Sequence, residues 1–109
     1  MEFLEPWYSI ADEHAQVAGM NKELRRELGD GHPLYGLPVR ATGRRQDCDD
    51  VLFAIEDGSG RFVVVHLTWA QAPEPLPWPG TSLYASFDAW LVEGMRRDFD
   101  DFHRNDDAN

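Results

Sequence analysis

The stretch DVLFAIEDGSGRFVVVHLTW, Asp50 to Trp69, holds two apolar runs joined by four turn-forming residues. β-Branched and aromatic side chains dominate both runs, and DGSG has the composition of a hairpin loop. Two strands are therefore expected, Asp50–Asp57 and Arg61–Trp69. Their register depends on loop length. A two-residue loop sets Val51, Phe53 and Ile55 on the face of Phe62, Val64, His66 and Thr68. A three-residue loop, Gly58–Gly60 with Gly60 left-handed, sets them with Val63, Val65, Leu67 and Trp69. The second choice gathers seven apolar side chains on one face, and a slip of one residue would scatter them. It is the expected register. The opposite face then carries Leu52, Ala54, Glu56, Phe62, Val64, His66 and Thr68. It is half polar and needs partial cover.

Towards the N-terminus, Leu37–Arg44 reads as another strand. Pro38 places it at a sheet edge, because proline has no N–H for a ladder. The segment GRRQDCDD, Gly43 to Asp50, becomes the connection into the hairpin. Residues 3–28 read as a helix: Phe3, Ile10, Val17 and Leu24 recur every seven, with Trp7 and Leu28 at the offset of four. Pro6 suits a first turn, and Ser9 followed by Asp12 offers a second start. Gly19 predicts a kink or a break, and Gly29 a left-handed C-cap. Beyond the hairpin, AQAPEPLPWPG (70–80) holds four prolines and is expected to cross the surface irregularly. TSLYAS suits a short edge strand. Ser86 caps a last helix whose apolar stripe is Phe87, Trp90, Leu91, Met95, Phe99 and Phe102. Residues 104–109 are expected to be a disordered acidic tail, and residues 1–103 a single domain. The fold class is α+β: an antiparallel sheet of three to four strands with an N-terminal and a C-terminal helix, α-β-β-β-(β)-α. The C-terminal helix is expected on the Val63–Leu67 face, with the N-terminal helix beside it. A second copy of the chain is one way to cover the other face, so a homodimer is among the expectations.

The chain has 109 residues and a net charge of −10. Twenty acidic residues against ten basic ones exclude a phosphate-binding footprint, so neither nucleic acid nor an anionic membrane is an expected partner. A basic protein surface is. No apolar run approaches the length of a membrane helix. The opening MEFLEPWYSI has no basic n-region and no cleavage pattern, so no signal peptide is expected. A lone cysteine, Cys48, cannot form an internal disulfide, which suits a reducing, cytoplasmic compartment.

Four groups of residues carry candidate chemistry. Asp47, Asp49 and Asp50 offer oxygen ligands but lack the glycine and distal glutamate of a calcium loop. A solvated connection with acids paired to Arg44 and Arg45 explains them. Cys48 has nearby arginines that would lower its pKa, opposed by three aspartates, and is read as structural. His66 stands mid-strand on the more polar face, two residues before Thr68. Asp50 shares that face in the preferred register. By parity, Arg40, Thr42 and Arg44 line one face of the first strand. His66, Thr68, Asp50, Arg44 and Arg40 thus form the candidate polar patch, with His32 before Pro33 a further member. Trp78, between two prolines, is a candidate aromatic contact for a protein partner. Four scattered histidines have no metal-ligand spacing, and neither a metal, a cofactor nor a catalytic residue is expected.

The motifs GHPLYG (31–36), GRRQDCDDVLF (43–53) and VVVHLTW (63–69) together resemble those of a family of small, uncharacterised bacterial proteins. The resemblance implies a bacterial cytoplasmic domain and brings no catalytic role. The residues thus favour a non-enzymatic binding or regulatory protein, for example of the immunity type, that meets a protein partner through acidic and aromatic surface. The alternative is a small enzyme or ligand-binding domain built around His66.

Overall fold

A computed structural model describes residues 3–107. Five antiparallel strands form one sheet in sequential order: β1 (Trp7–Ser9), β2 (Val39–Arg45), β3 (Asp50–Ile55), β4 (Phe62–His66) and β5 (Gly80–Tyr84). Helix α1 (His14–Glu27) lies between β1 and β2. After β5, α2 (Phe87–Trp90) runs through a π-helical turn (Leu91–Met95) into α3 (Arg96–Asp107). The fold is α+β, with the N-terminal and C-terminal helices expected.

The β3–β4 hairpin follows the three-residue-loop register. Val51 stands opposite Val65 and Phe53 opposite Val63. Gly60 is left-handed at φ 77°, as that loop requires, and Gly58 is left-handed too. Val51, Phe53, Ile55, Val63, Val65 and Leu67 therefore share one face. There they pack with Met20 and Leu24 of α1 and with Leu28, Ile10 and Leu34. Trp69, the expected seventh member, is not among them. Strand β4 ends at His66, and Trp69 takes φ 59° in the following turn, which leaves its ring partly in solvent.

The opposite face is covered differently from the sequence expectation. Leu52, Phe62 and Val64 lie beneath α2 and the π turn, against Trp90, Phe87, Leu91 and Met95, joined by Phe3 and Trp7. The C-terminal helix therefore covers the second face, and α1 alone covers the first. The sheet is sandwiched by its own chain, so the exposed-face argument for a homodimer no longer applies.

The N-terminal reading is also corrected. Helix α1 begins at His14, while Trp7–Ser9 pairs with Gly43–Arg45 as an edge strand. The reason is packing. Trp7 meets Trp90 edge-on at 5.1 Å on one face of the sheet, whereas Ile10 enters the core on the other. Residues three apart on a helix share a side, so one helix could not deliver both. With β1 outside it, β2 becomes an interior strand, and Pro38 sits just before it and offers its carbonyl to the Glu56 N–H. Helix α1 passes Gly19 without interruption and ends with Leu28 extended, so Gly29 is not a left-handed cap. At the other end, α3 runs to Asp107, past the boundary expected at residue 103. The final two positions of the expected tail lie outside the described residues. Phe87, Trp90, Leu91 and Met95 of the predicted stripe pack together, on the face opposite to the expected one, while Phe99 meets His103 in a tilted ring contact at 4.4 Å.

Candidate functional site

The polar patch is decided by one irregularity. Between Ala41 and Gly43 the β2–β3 register shifts, so Ala41 faces Phe53 while Gly43 faces Leu52. A β-bulge inserts one residue and reverses the facing of everything after it. Arg40 and Arg44 consequently do not share a face. Arg44 stands opposite Val51 and reaches α1, where it donates to Gln16 Oε1 at 3.3 Å. Arg40 stands exposed opposite Ala54. The arginine that reaches the Asp50 side is Arg45. Gly43 sits where an added Cβ would come within 2.5 Å of the Phe3 ring, so the bulge and the absence of a side chain go together.

Asp50 and His66 are direct cross-strand partners. The His66 Nδ1–H donates to Asp50 Oδ1 at 2.7 Å, with the histidine side chain 54% exposed. Arg45 Nη1 lies 3.8 Å from the other Asp50 oxygen and 3.4 Å from Asp98 on α3. Its Nε and Nη2 donate to both oxygens of Asp47 at 2.8 Å. Asp98, nearly buried, also accepts from the Trp7 indole N–H at 2.9 Å. The result is a continuous network, His66–Asp50–Arg45–Asp98–Trp7, that ties four strands to α3.

Arg45 faces three carboxylates here, and Arg97 adds a second cation 3.6 Å from Asp98. Burial works against the Arg45 charge, but the Asp47 hydrogen bond, Cys48 and Asp98 outweigh it and leave the guanidinium above its ordinary pKa. Arg45 in turn holds the Asp47 carboxyl below the usual carboxylate range. Burial raises the Cys48 thiol, reinforced by the Asp50 and Asp47 charges, so it stays protonated and is a poor nucleophile at neutral pH. Geometrically, the His66–Asp50 pair is a histidine oriented by a carboxylate, which leaves its other ring nitrogen available for a proton or a hydrogen bond.

Other expected members lie elsewhere. His32 is buried: its Nδ1 accepts from Leu34 N–H, so its Nε2–H donates to the Pro79 carbonyl at 3.1 Å. It pins the Gly31–Gly36 segment to the proline crossing. Thr68 belongs to a different cluster. Its N–H and that of Trp69 donate to the Glu27 carboxylate at 2.8–3.1 Å, while Gln71 N–H donates to Glu23. Glu23 and Glu27 are buried at the end of α1, and Trp69 and Gln71 both have φ 59° in the loop they hold. Burial and then a hydrogen bond with Glu23 raise the Glu27 pKa, against the opposing pull of the Thr68 and Trp69 N–H groups. The sequence offered a signal for Glu23 and Glu27, since they lie four apart and immediately precede Leu24 and Leu28, but the same spacing also suits an exposed helix side.

Trp78 is half exposed, consistent with its place between two prolines. Trp69, Leu76, Trp78 and Leu83 account for four of the seven exposed large apolar side chains among the described residues. All four fall within residues 69–83. Among the described residues, no group of three or more His, Cys, Asp or Glu side chains is placed to hold a metal ion. Nor does any helix there have the length and apolarity to cross a membrane. No family model, curated protein or solved structure matches the chain.

Proposed function

We propose that the chain is a non-enzymatic cytoplasmic binding or regulatory protein, of the immunity type or a related kind, that recognises a basic protein partner. One observation carries this reading: the concentration of Trp69, Leu76, Trp78 and Leu83 at the surface of residues 69–83. Soluble proteins rarely leave large apolar side chains clustered in water unless something meets them. Aromatic anchors on a chain of net charge −10 suit an interface with a cationic protein. The resemblance to small bacterial proteins is compatible with such a role.

The test is affinity capture at low salt with the immobilised wild-type chain and a Trp78→Ser variant run in parallel. The expected result is one or more basic proteins held by the wild type, released by salt, and weakly held by the variant. Equal retention by both, or no salt-sensitive retention, refutes the reading. A second reading, a small enzyme or ligand-binding domain, is favoured by the 2.7 Å His66–Asp50 pair alone. A His66→Gln variant that keeps full partner binding but loses a measurable turnover or ligand would establish it.

A further inference from the structure

Backbone accounting for the last strand goes further. Ile55 N–H donates to Arg61 O, and Leu67 N–H donates to Asp49 O. These bonds mark the odd-numbered residues at the β4 end of the hairpin as those that bond β3. Hydrogen-bonding direction alternates along an antiparallel strand. The backbone groups of Phe62, Val64 and His66 therefore turn to β5, where Tyr84, Ser82 and Gly80 stand opposite them. Thr81 and Leu83 then direct their N–H and C=O away from the sheet. Among the described residues no strand lies beyond β5.

Sheet edges are usually protected by shortness, bulges, proline or charge. The β1 edge is three residues long and pairs with the bulged strand. By contrast, β5 pairs with β4 over five residues without a register shift, and Thr81, Ser82 and Leu83 are all exposed. None of the three is charged. Leu83 lies opposite Val63, on the α1 face of the sheet, yet is half exposed because α1 does not extend over it. Trp78 stands beside the start of the strand, its ring 3.5 Å from where a Cβ on Gly80 would lie. The chain carries a net charge of −10, although Arg97 bonds the Tyr84 side chain at the end of this strand. Residues 62–95 contain Glu74, Asp88 and Glu93 and neither lysine nor arginine.

We infer that β5 is a docking edge that takes an extended, lysine- or arginine-bearing segment of a partner protein as a sixth strand. This rests on the binding role proposed above and specifies its mode. Main-chain hydrogen bonds to Thr81 and Leu83 supply the affinity of strand addition, and alternate side chains supply the selectivity. An apolar residue of the incoming strand lies against Leu83, and its basic residues meet a chain of net charge −10.

A random peptide library displayed on phage and panned at low salt against the whole chain tests the inference. Synthetic versions of the selected peptides are then measured against wild type, Thr81→Pro and Leu83→Lys. Proline at 81 removes an outward N–H without touching the β4 ladder, and lysine at 83 repels a basic strand while leaving the backbone intact. The expected result is selection of β-branched, basic peptides that bind at least tenfold more weakly to both variants. Amide exchange at residues 81 and 83 should slow when they bind. If Thr81→Pro unfolds, Leu83→Lys and the exchange measurement decide. Peptides that bind both variants unchanged overturn strand addition and leave a binding role in place. Failure to select any peptide overturns it as well, while capture with the Trp78 variant judges the broader role separately. A wild-type dimer with residues 81 and 83 already protected assigns the edge to a second copy and also overturns the inference.

Discussion

Replacing Glu27 with alanine removes the acceptor for the Thr68 and Trp69 N–H groups, which now donate at 2.8–3.1 Å. A buried donor left without a partner costs about 1–3 kcal/mol. Both donors belong to residues that reach the surface, so water recovers part of each bond, and about 2 kcal/mol is expected for the pair. For a domain of this size that lowers the unfolding midpoint by roughly 8 °C. Glu27→Gln should behave differently, because its amide keeps one acceptor oxygen for these N–H groups and does not titrate. The pH dependence separates the two further. In wild type the Glu27 pKa is raised on folding, so the folded state holds its proton more tightly than the unfolded state does. That contribution is complete below the ordinary value of 4.5 and declines as pH rises through the folded value. Urea unfolding followed by circular dichroism, at pH 5 and pH 8, should show wild type losing more stability between the two than Glu27→Gln does. If Glu27→Gln costs as much as Glu27→Ala, or shows the same pH difference as wild type, the account of Glu27 as a titrating acceptor is wrong.

Arg45→Ala strips the cation from Asp47, Asp50 and the nearly buried Asp98, and should cost about 1–3 kcal/mol in chemical denaturation. Arg44→Ala, which removes a single 3.3 Å hydrogen bond, should cost less, and equal costs would contradict the bulge assignment. Gly94→Ala places a methyl within 2.7 Å of the Trp90 ring and 2.9 Å of the Tyr84 hydroxyl. Such overpacking costs about 1–3 kcal/mol, so a midpoint unchanged in thermal unfolding would show that the π turn can relax. Hydrogen bonds from Ser59 and then Arg61 hold the Asp57 pKa down to about 2. The β3–β4 turn should therefore keep its Ser59 and Arg61 amide shifts in an NMR titration until pH falls through about 2, and an inflection near 4 would refute those bonds.

The hairpin was legible because its two strands alternate strongly and only one loop length gathers their apolar side chains. The limits of that legibility are local. Phe3, Trp7 and Ile10 match a helical period, yet the chain crosses from one sheet face to the other between Trp7 and Ile10, and periodicity cannot register a crossing. Arg44 and Arg45 exchange their expected roles because the bulge adds one residue. Gly43 inside a strand was a signal for that, since interior glycines often mark bulges. His66 and Asp50 were found together because they face each other within the hairpin. Asp98 and Trp7, 91 residues apart, could not be linked by local pattern. Covering of the second face by the C-terminal helix was equally hidden, because both helices offer an apolar stripe and nothing local says which face each takes.

The sandwich of the sheet between an early helix and a late one sets an order of events during synthesis. Everything that α1 covers on the first face is complete once Leu67 has been made. The second face has no such cover until Trp90 and Met95 follow, more than twenty residues later. At roughly 5–20 residues per second, Leu52, Phe62 and Val64 wait some seconds with their apolar surface open on one side of a sheet whose other side is already closed. A nascent chain halted before residue 87 should therefore present a half-built, adhesive intermediate, and the C-terminal helix acts as the step that ends its exposure.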